Sequence, residues 1–114
     1  MTKKNIYFVL GDLLDDSNKE QFDLLLVVDV FEHVEDYFSF IRKARKKAKH
    51  IIFHIPLDMC VHTVLRGGVM MRARKKLGHI HYFSKDTALA TLEDCGCEIV
   101  DYNYTDMAIE LKRT

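Results

Sequence analysis

Two short segments place titratable side chains at spacings that support chemistry. Glu32 and His33 are adjacent, and an imidazole that titrates near neutral pH can act as a general base on a substrate hydroxyl. His79 and His81 form a His-x-His pair, whose side chains share one face if the segment is extended. Partly exposed loop histidines are the alternative interpretation of this pair. What either segment can do depends on the elements that position it.

Three apolar runs are predicted to be strands. Residues 5–10 are β-branched and aromatic and stop at a Gly-Asp turn. Residues 22–29 contain five consecutive apolar residues, which indicates a strand buried on both faces, as in a parallel sheet. Residues 51–55 form another short apolar strand, closed by Pro56. A helix predicted over residues 35–48 carries an apolar stripe and would join the second and third runs as a parallel βαβ unit.

The second half of the chain is predicted to be mostly helical. Residues 57–78 form a helical excursion broken by Gly67 and Gly68. Ser84 is a good N-cap for a further helix, and Gly96 offers its C-terminal stop.

Two more strands are predicted after that helix, a near-edge strand over residues 98–104 and a short one over residues 107–111. The element order predicts an α/β fold of three layers, with a mostly parallel sheet and helices on both faces. At 114 residues the chain has room for one domain, over residues 1–114.

Composition excludes several classes of protein. Seventeen basic and seventeen acidic residues give no net charge, which argues against a general nucleic-acid or membrane-surface binder. The apolar runs are too short to cross a bilayer, and no signal peptide is apparent. The three cysteines, Cys60, Cys95 and Cys97, are too few for a disulfide framework and match no standard zinc spacing. We expect reduced thiols and a cytoplasmic location.

An ordered series of motifs resembles the class I S-adenosylmethionine-dependent methyltransferases of the small-molecule type. The series comprises Gly-Asp-Leu at residues 11–13, Gln-Phe-Asp-Leu at 21–24 and Asp-Val-Phe-Glu-His-Val-Glu-Asp at 29–36. It continues with His-Ile-Pro at residues 54–56 and the histidine-containing link at 78–84. The resemblance ends at residues 94–100, which are similar to the Gly-containing entry to the sixth strand of the family, and it covers nearly the whole chain. It implies a Rossmann-like sheet.

The resemblance implies a binding site for S-adenosylmethionine. Asp12 and Leu13 match the position that contacts adenine, where a carboxylate can accept from the exocyclic amine. The segment after the fourth strand of the family implies further cofactor contacts by Asp29, Val30, Phe31 and His33. A simple turn at Asp12 and a buried strand end at Asp29 are the alternatives. The Glu32-His33 step recurs among members with unrelated substrates, which favours positioning over catalysis and leaves the catalytic residues unassigned.

The chain also departs from the family. Residues 5–10 match the third strand, so the expected fold is truncated, without the first two strands and the glycine-rich loop that grips the cofactor. Residues 5–10 then pair directly with residues 22–29, remain at an edge or find a partner chain. A homo-oligomer or a complementing chain at the exposed sheet edge is one expectation.

A metal site is a further hypothesis. Asp29, Glu32, His33 and His81 resemble the carboxylate and histidine set of some metal-assisted O-methyltransferases, and such donors can hold Mg²⁺ or Mn²⁺. The first residue of that set is glutamate in those relatives, and Asp29 is shorter.

The sequence thus supports two functions. One is methyl transfer from S-adenosylmethionine to a small-molecule or sugar-like acceptor by a partial methyltransferase domain, with the activity of this short chain in question. The other is a non-catalytic methyltransferase remnant that serves as an interaction or oligomerisation module. Neither the acceptor nor the methylated atom follows from the sequence.

Overall fold

Two strands and four α-helices form the regular structure of residues 5–105, the part of the chain that this computed structural model describes. The strands are β1 (Phe22–Val28) and β2 (Ala48–His54). The helices are α1 (Tyr37–Arg45), α2 (Val61–Arg66), α3 (Val69–Leu77) and α4 (Lys85–Asp94), and a 3-10 helix covers Phe31–His33. The protein is therefore a small α/β protein. Each helix in this part of the chain is too short or too polar to cross a membrane.

β1 and β2 pair in parallel, with α1 in the connection between them. Phe22 lies opposite Ala48, and Val28 lies opposite His54. This pairing confirms the predicted parallel βαβ unit. Adjacent parallel strands place their carboxyl ends at the same edge of the sheet, so the turns after Val28 and His54 are neighbours.

The local capping signals explain where the helices begin and end. The Asp36 carboxylate accepts the backbone N–H of Ser39 at 3.1 Å, so α1 begins after Asp36 and is shorter than predicted. Gly67 and Gly68 both have positive φ and separate α2 from α3, as the sequence predicts.

Ser84 and Gly96 bound α4 as predicted. The Ser84 hydroxyl accepts the N–H of Thr87 at 3.2 Å. At the other end, Gly96 has φ +86°, and the N–H groups of Gly96 and Cys97 donate to the carbonyls of Glu93 and Leu92. This pair of bonds is a Schellman motif, which needs the left-handed conformation that glycine adopts readily.

The core lies between α1, α4 and one face of the sheet. Its buried members are Phe31, Ile41, Phe83, Ala88, Leu92 and Cys95. Phe53 of β2 packs against this cluster, and the Phe31 ring meets those of Phe53 and Phe83 edge to face at 5.8 and 5.2 Å. The 3-10 helix after β1 is thereby fixed to the core.

The other face of the sheet is uncovered in the described residues. Leu24, Leu26 and Val28 are 50–60% exposed, and Ile52 of β2 is 56% exposed. The prediction that residues 22–29 are buried on both faces is therefore wrong, as is the expectation of helices on both faces for residues 5–105. A strand that is apolar at every position can be buried on both faces, but burial of the second face requires another layer of structure to pack against it.

Two predicted strands are absent from the described part of the chain. Residues 5–10 and 98–104 are not in a strand, and Phe8, Leu10, Val100 and Tyr104 are 68–105% exposed. Both predictions are wrong, because a strand needs a hydrogen-bonding neighbour and the described sheet pairs only β1 with β2. The strand predicted over residues 107–111 lies outside the described residues.

Candidate functional site

Three of the predicted cofactor residues line one groove. Asp12, Leu13 and Val30 contribute to a concavity of about 200 Å³. Its remaining lining comes from Leu14, from β1 and from α1: Leu25, Leu26, Val27, Phe40 and Ala44. The Asp12 carboxylate accepts the N–H of Leu14 at 2.9 Å, which fixes the turn that brings residues 12–14 to β1.

Asp29 stands at the end of β1 in a strained conformation. Its φ is +50°, in the left-handed region that few residues other than glycine adopt. Its N–H donates to the carbonyl of His54 at 3.0 Å, and its Oδ1 lies 2.7 Å from Nδ1 of the same residue. Nε2 of His54 in turn lies 3.0 Å from the hydroxyl of Thr105. Asp29 therefore ties the ends of the two strands together.

The remaining predicted cofactor residues, Phe31 and His33, sit on the 3-10 helix and have different surroundings. Phe31 is 1% exposed and its side chain belongs to the core. His33 is 37% exposed at its side chain and faces the link that precedes α4.

Glu32, between them, is a buried acid without a hydrogen-bond partner. Its side chain is fully buried, and neither carboxylate oxygen has a hydrogen-bond partner among residues 5–105. Burial raises the pKa of this carboxyl above its ordinary value, and the backbone around it and nearby His33 oppose that rise only in part. A desolvated and unpaired carboxylate is costly, so this position calls for a functional explanation.

Two histidines converge on Glu32. One ligating atom each from Glu32, His33 and His79 lie within 4.8 Å of one another. Nε2 of His33 is 3.5 Å from Oε1 of Glu32, and the two imidazole rings meet edge to face with centroids 5.0 Å apart. We refer to these three residues as the Glu32–His33–His79 cluster.

Hydrogen bonds fix the tautomer of both histidines. Nδ1 of His33 lies 3.0 Å from the carbonyl oxygen of Gly78, and a carbonyl only accepts, so Nδ1 carries the proton. Nδ1 of His79 lies 2.6 Å from Oδ2 of Asp58 and donates to that carboxylate in the same way. When the rings are neutral, Nε2 of each histidine carries the lone pair.

Backbone contacts hold the cluster together across long stretches of sequence. The carbonyl of Glu32 accepts the N–H groups of Ile80 and His81 at 3.0 and 3.2 Å, which places His79 beside the 3-10 helix. The segment that carries Asp58 is held by Met59, whose N–H donates to the carbonyl of Phe83 at 3.1 Å. Two separate segments therefore build the cluster, and a third, which carries Asp58, supports it.

The metal set suggested by the sequence is only partly brought together. Glu32 and His33 are in the cluster, whereas the Asp29 carboxylate pairs with His54. Nε2 of His81 donates to the carbonyl of Val34 at 2.7 Å, so His81 serves to anchor the link. His79 takes the place expected of His81, and it is 6% exposed, which makes the loop-histidine interpretation wrong for this residue.

Sequence reasoning singled out His79 but missed Asp58. The His-x-His pattern was the signal for His79, and which of its two histidines reaches Glu32 depends on the path of the link. Asp58 follows Pro56 in a segment with no recognisable spacing to any histidine. Its role depends on tertiary contacts alone.

Comparison of the chain with models of protein families, with curated proteins and with solved structures finds no match.

Proposed function

We propose that the chain forms the later part of a class I S-adenosylmethionine-dependent methyltransferase domain with a Rossmann-like sheet, which transfers a methyl group to a small-molecule or sugar-like acceptor. The observation that carries the proposal is the shared groove. Asp12 and Leu13 are 17 or more residues from Val30 in the chain, yet all three line one concavity along β1. The series of motifs in the sequence independently favours the same three residues as cofactor contacts.

The groove suits one end of the cofactor. An adenine ring is flat and apolar on its faces, which Leu13 and Val30 match, and its exocyclic amine needs an acceptor, which Asp12 supplies. The groove has a volume of about 200 Å³, which is below the roughly 300–1,000 Å³ of pockets that enclose a drug-sized ligand. The proposal therefore assigns only the adenosyl end to this groove.

The bound cofactor supplies a methyl group on a cationic sulfur. Asp12, Leu13 and Val30 would hold its adenosyl end, and the methyl group would be available for in-line transfer to an acceptor, with S-adenosylhomocysteine as the leaving group and the acceptor proton lost to solvent. Most of the acceleration in such a displacement comes from orientation, so the protein needs to position both partners more than to supply a strong base. We also propose a cytoplasmic location. The thiols of Cys60, Cys95 and Cys97 form no disulfide, which is compatible with a reducing compartment.

A nuclear magnetic resonance titration with S-adenosylhomocysteine tests the assignment. We expect the amide signals of Asp12, Leu13 and Val30 to shift in a saturable manner, while that of exposed Val61 on α2 stays in place. Asp12→Asn should weaken binding, and Asp16→Asn should not, because the Asp16 side chain is 92% exposed. Saturable shifts that avoid the groove, or none at all, would contradict the proposal.

The uncovered sheet face favours a second candidate, a module that associates with another copy of itself. Leu24, Leu26 and Val28 of β1 and Ile52 of β2 are exposed on one face, which they share with His50 and His54, and monomeric proteins rarely expose large apolar patches. The prediction is a dimer at tens of micromolar in analytical ultracentrifugation. Ile52→Lys should yield monomers, whereas Leu65→Lys on exposed α2 should leave the dimer intact. A monomeric wild-type chain would exclude this candidate.

A further inference from the structure

We propose that the Glu32–His33–His79 cluster binds a divalent transition-metal ion through the Glu32 carboxylate and Nε2 of each histidine. The inference does not depend on the methyltransferase proposal. Its basis is the chemistry of three electron-pair donors that meet inside the protein.

The cluster lacks the positive charge that its donors require. Glu32 brings a carboxyl group that is fully buried, with neither oxygen hydrogen-bonded within the described residues. Nε2 of His33, 3.5 Å away, presents a lone pair to that carboxylate, because Nδ1 holds the ring proton. A carboxylate and an imidazole lone pair at this distance repel one another unless a proton or a metal cation lies between them.

Each histidine is oriented as a metal ligand. The Nδ1–H groups donate to the Gly78 carbonyl and to the Asp58 carboxylate. A hydrogen bond of this kind on the far nitrogen is the usual arrangement for metal-bound imidazole, since it fixes the tautomer and strengthens the ligand. Asp58 is a positioning residue in this account, because it acts on the ion only through His79.

The donor set selects the class of ion. Two imidazole nitrogens and one carboxylate oxygen suit Zn²⁺, Fe²⁺ and similar ions, whereas Mg²⁺ prefers oxygen donors throughout. Tetrahedral ligands about 2.1 Å from Zn²⁺ lie about 3.4 Å from one another. The Glu32 to His33 separation of 3.5 Å already matches this value, so only His79 has to approach the other two, from an outer limit of 4.8 Å and thus by about 1.4 Å at most.

Three protein ligands leave a coordination position open. Because the side chain of His33 is 37% exposed, the cluster is reachable from solvent on that side. Sites with three protein ligands and an open position hold a water molecule or an oxygen of a small molecule, in contrast to closed structural zinc sites. The class of ligand expected at the ion is therefore a small oxygen donor.

A proton is the competing explanation. If His33 is doubly protonated, it forms an ion pair with Glu32 and no metal is needed. The two explanations differ in what binds, so a direct metal measurement separates them.

The test is a calorimetric titration with Zn²⁺. The full chain is first treated with a chelator, which is then removed, so that the titration starts from metal-free protein. Cys60→Ser serves as the background, because the exposed thiol beside His62 could hold Zn²⁺ adventitiously. We expect one saturable Zn²⁺ per chain, much weaker binding of Mg²⁺, and a visible absorption band when Co²⁺ replaces Zn²⁺.

Three variants assign the ligands. Glu32→Gln keeps the shape of the side chain, and His33→Asn keeps a donor for the Gly78 carbonyl, while each removes a ligand. Both should lower affinity by more than the roughly 10–100-fold that loss of a positioning partner costs. His50→Asn, on the exposed part of β2, is the matched control and should bind as the parent does.

The proposal is overturned if Zn²⁺ does not bind in a saturable manner, or if Glu32→Gln and His33→Asn bind it as tightly as the parent. Circular dichroism of each variant checks that it is folded. Should one of the two variants unfold, the other decides the outcome, and His79→Asn provides a third ligand removal.

Discussion

Nδ1 of the buried His79 lies 2.6 Å from Oδ2 of Asp58. This contact fixes the orientation of the His79 ring, which comes from the link before α4, inside the protein. The two residues are held by different neighbours: the N–H of His79 donates to the carbonyl of Ala73 on α3, and the carbonyl of Asp58 accepts the hydroxyl of Thr63 on α2. Their contact leaves Nε2 of His79 as the nitrogen that can ligate.

Asp58→Asn should therefore weaken Zn²⁺ binding although it removes no ligand. The amide keeps the size of the side chain but not its charge, so the imidazole becomes a poorer donor to the ion. We expect a loss of about 10–100-fold in affinity, measured by competition with a chromogenic chelator. Asp86→Asn on α4, with an 87% exposed side chain, is the control. Equal affinities for the two variants would contradict the role of Asp58.

Glu32→Gln should stabilise the metal-free protein while it abolishes metal binding. The substitution replaces a buried carboxylate, which has no hydrogen-bond partner among residues 5–105, by a neutral amide that is less costly to bury, and the expected gain is roughly 1 kcal/mol in the free energy of unfolding. Urea unfolding in the presence of a chelator measures it. Exposed Glu35→Gln should change stability by no more than about 0.5 kcal/mol. A destabilised Glu32→Gln protein would mean that the carboxylate has a stabilising partner.

The three thiols should react with iodoacetamide in a fixed order. Hydrogen bonds from Thr63 lower the pKa of the exposed Cys60 thiol, whereas burial raises the pKa of Cys95 and of Cys97. The thiolate is the reactive form, so Cys60 should be alkylated first, and its rate should level off at a lower pH than the others. Peptide mapping by mass spectrometry follows each site. Alkylation of Cys95 as fast as Cys60 in the folded protein would contradict the burial of Cys95.

Gly96→Ala should destabilise the protein. Gly96 has φ +86°, and an added Cβ would lie 3.0 Å from a guanidinium nitrogen of Arg45. The left-handed conformation alone costs a residue with a Cβ about 1–2 kcal/mol. Gly11→Ala is the matched control, because no atom of residues 5–105 lies within 4 Å of its added Cβ. Thermal melts of the two variants should differ by several degrees, and equal midpoints would contradict the Schellman geometry.

Sequence patterns predicted the parts of the fold that local chemistry determines. The parallel unit from β1 to β2 follows from apolar runs that flank an amphipathic helix. The glycine break between α2 and α3, and the Ser84 and Gly96 ends of α4, follow from capping preferences of single residues. These features depend on few distant contacts.

The strands predicted over residues 5–10 and 98–104 are absent because strand formation also depends on distant contacts. Their composition suits a strand, but a strand needs a neighbouring strand to pair with, and in the described sheet β1 and β2 pair only with each other. The site shows the same division. Glu32 and His33 were visible as adjacent residues, whereas Asp58 joins them only through tertiary packing.

A thermal melt of the full chain with and without millimolar S-adenosylmethionine tests the central claim most directly. A ligand that binds the native state increases the free energy of unfolding by mass action and so raises the midpoint of the melt. The increase is about 2.7 kcal/mol at a ligand concentration one hundred times the dissociation constant. The account predicts a cooperative melt whose midpoint rises with the ligand in the wild-type chain and in Asp16→Asn, and rises less in Asp12→Asn. A cooperative melt that the ligand does not move would contradict it.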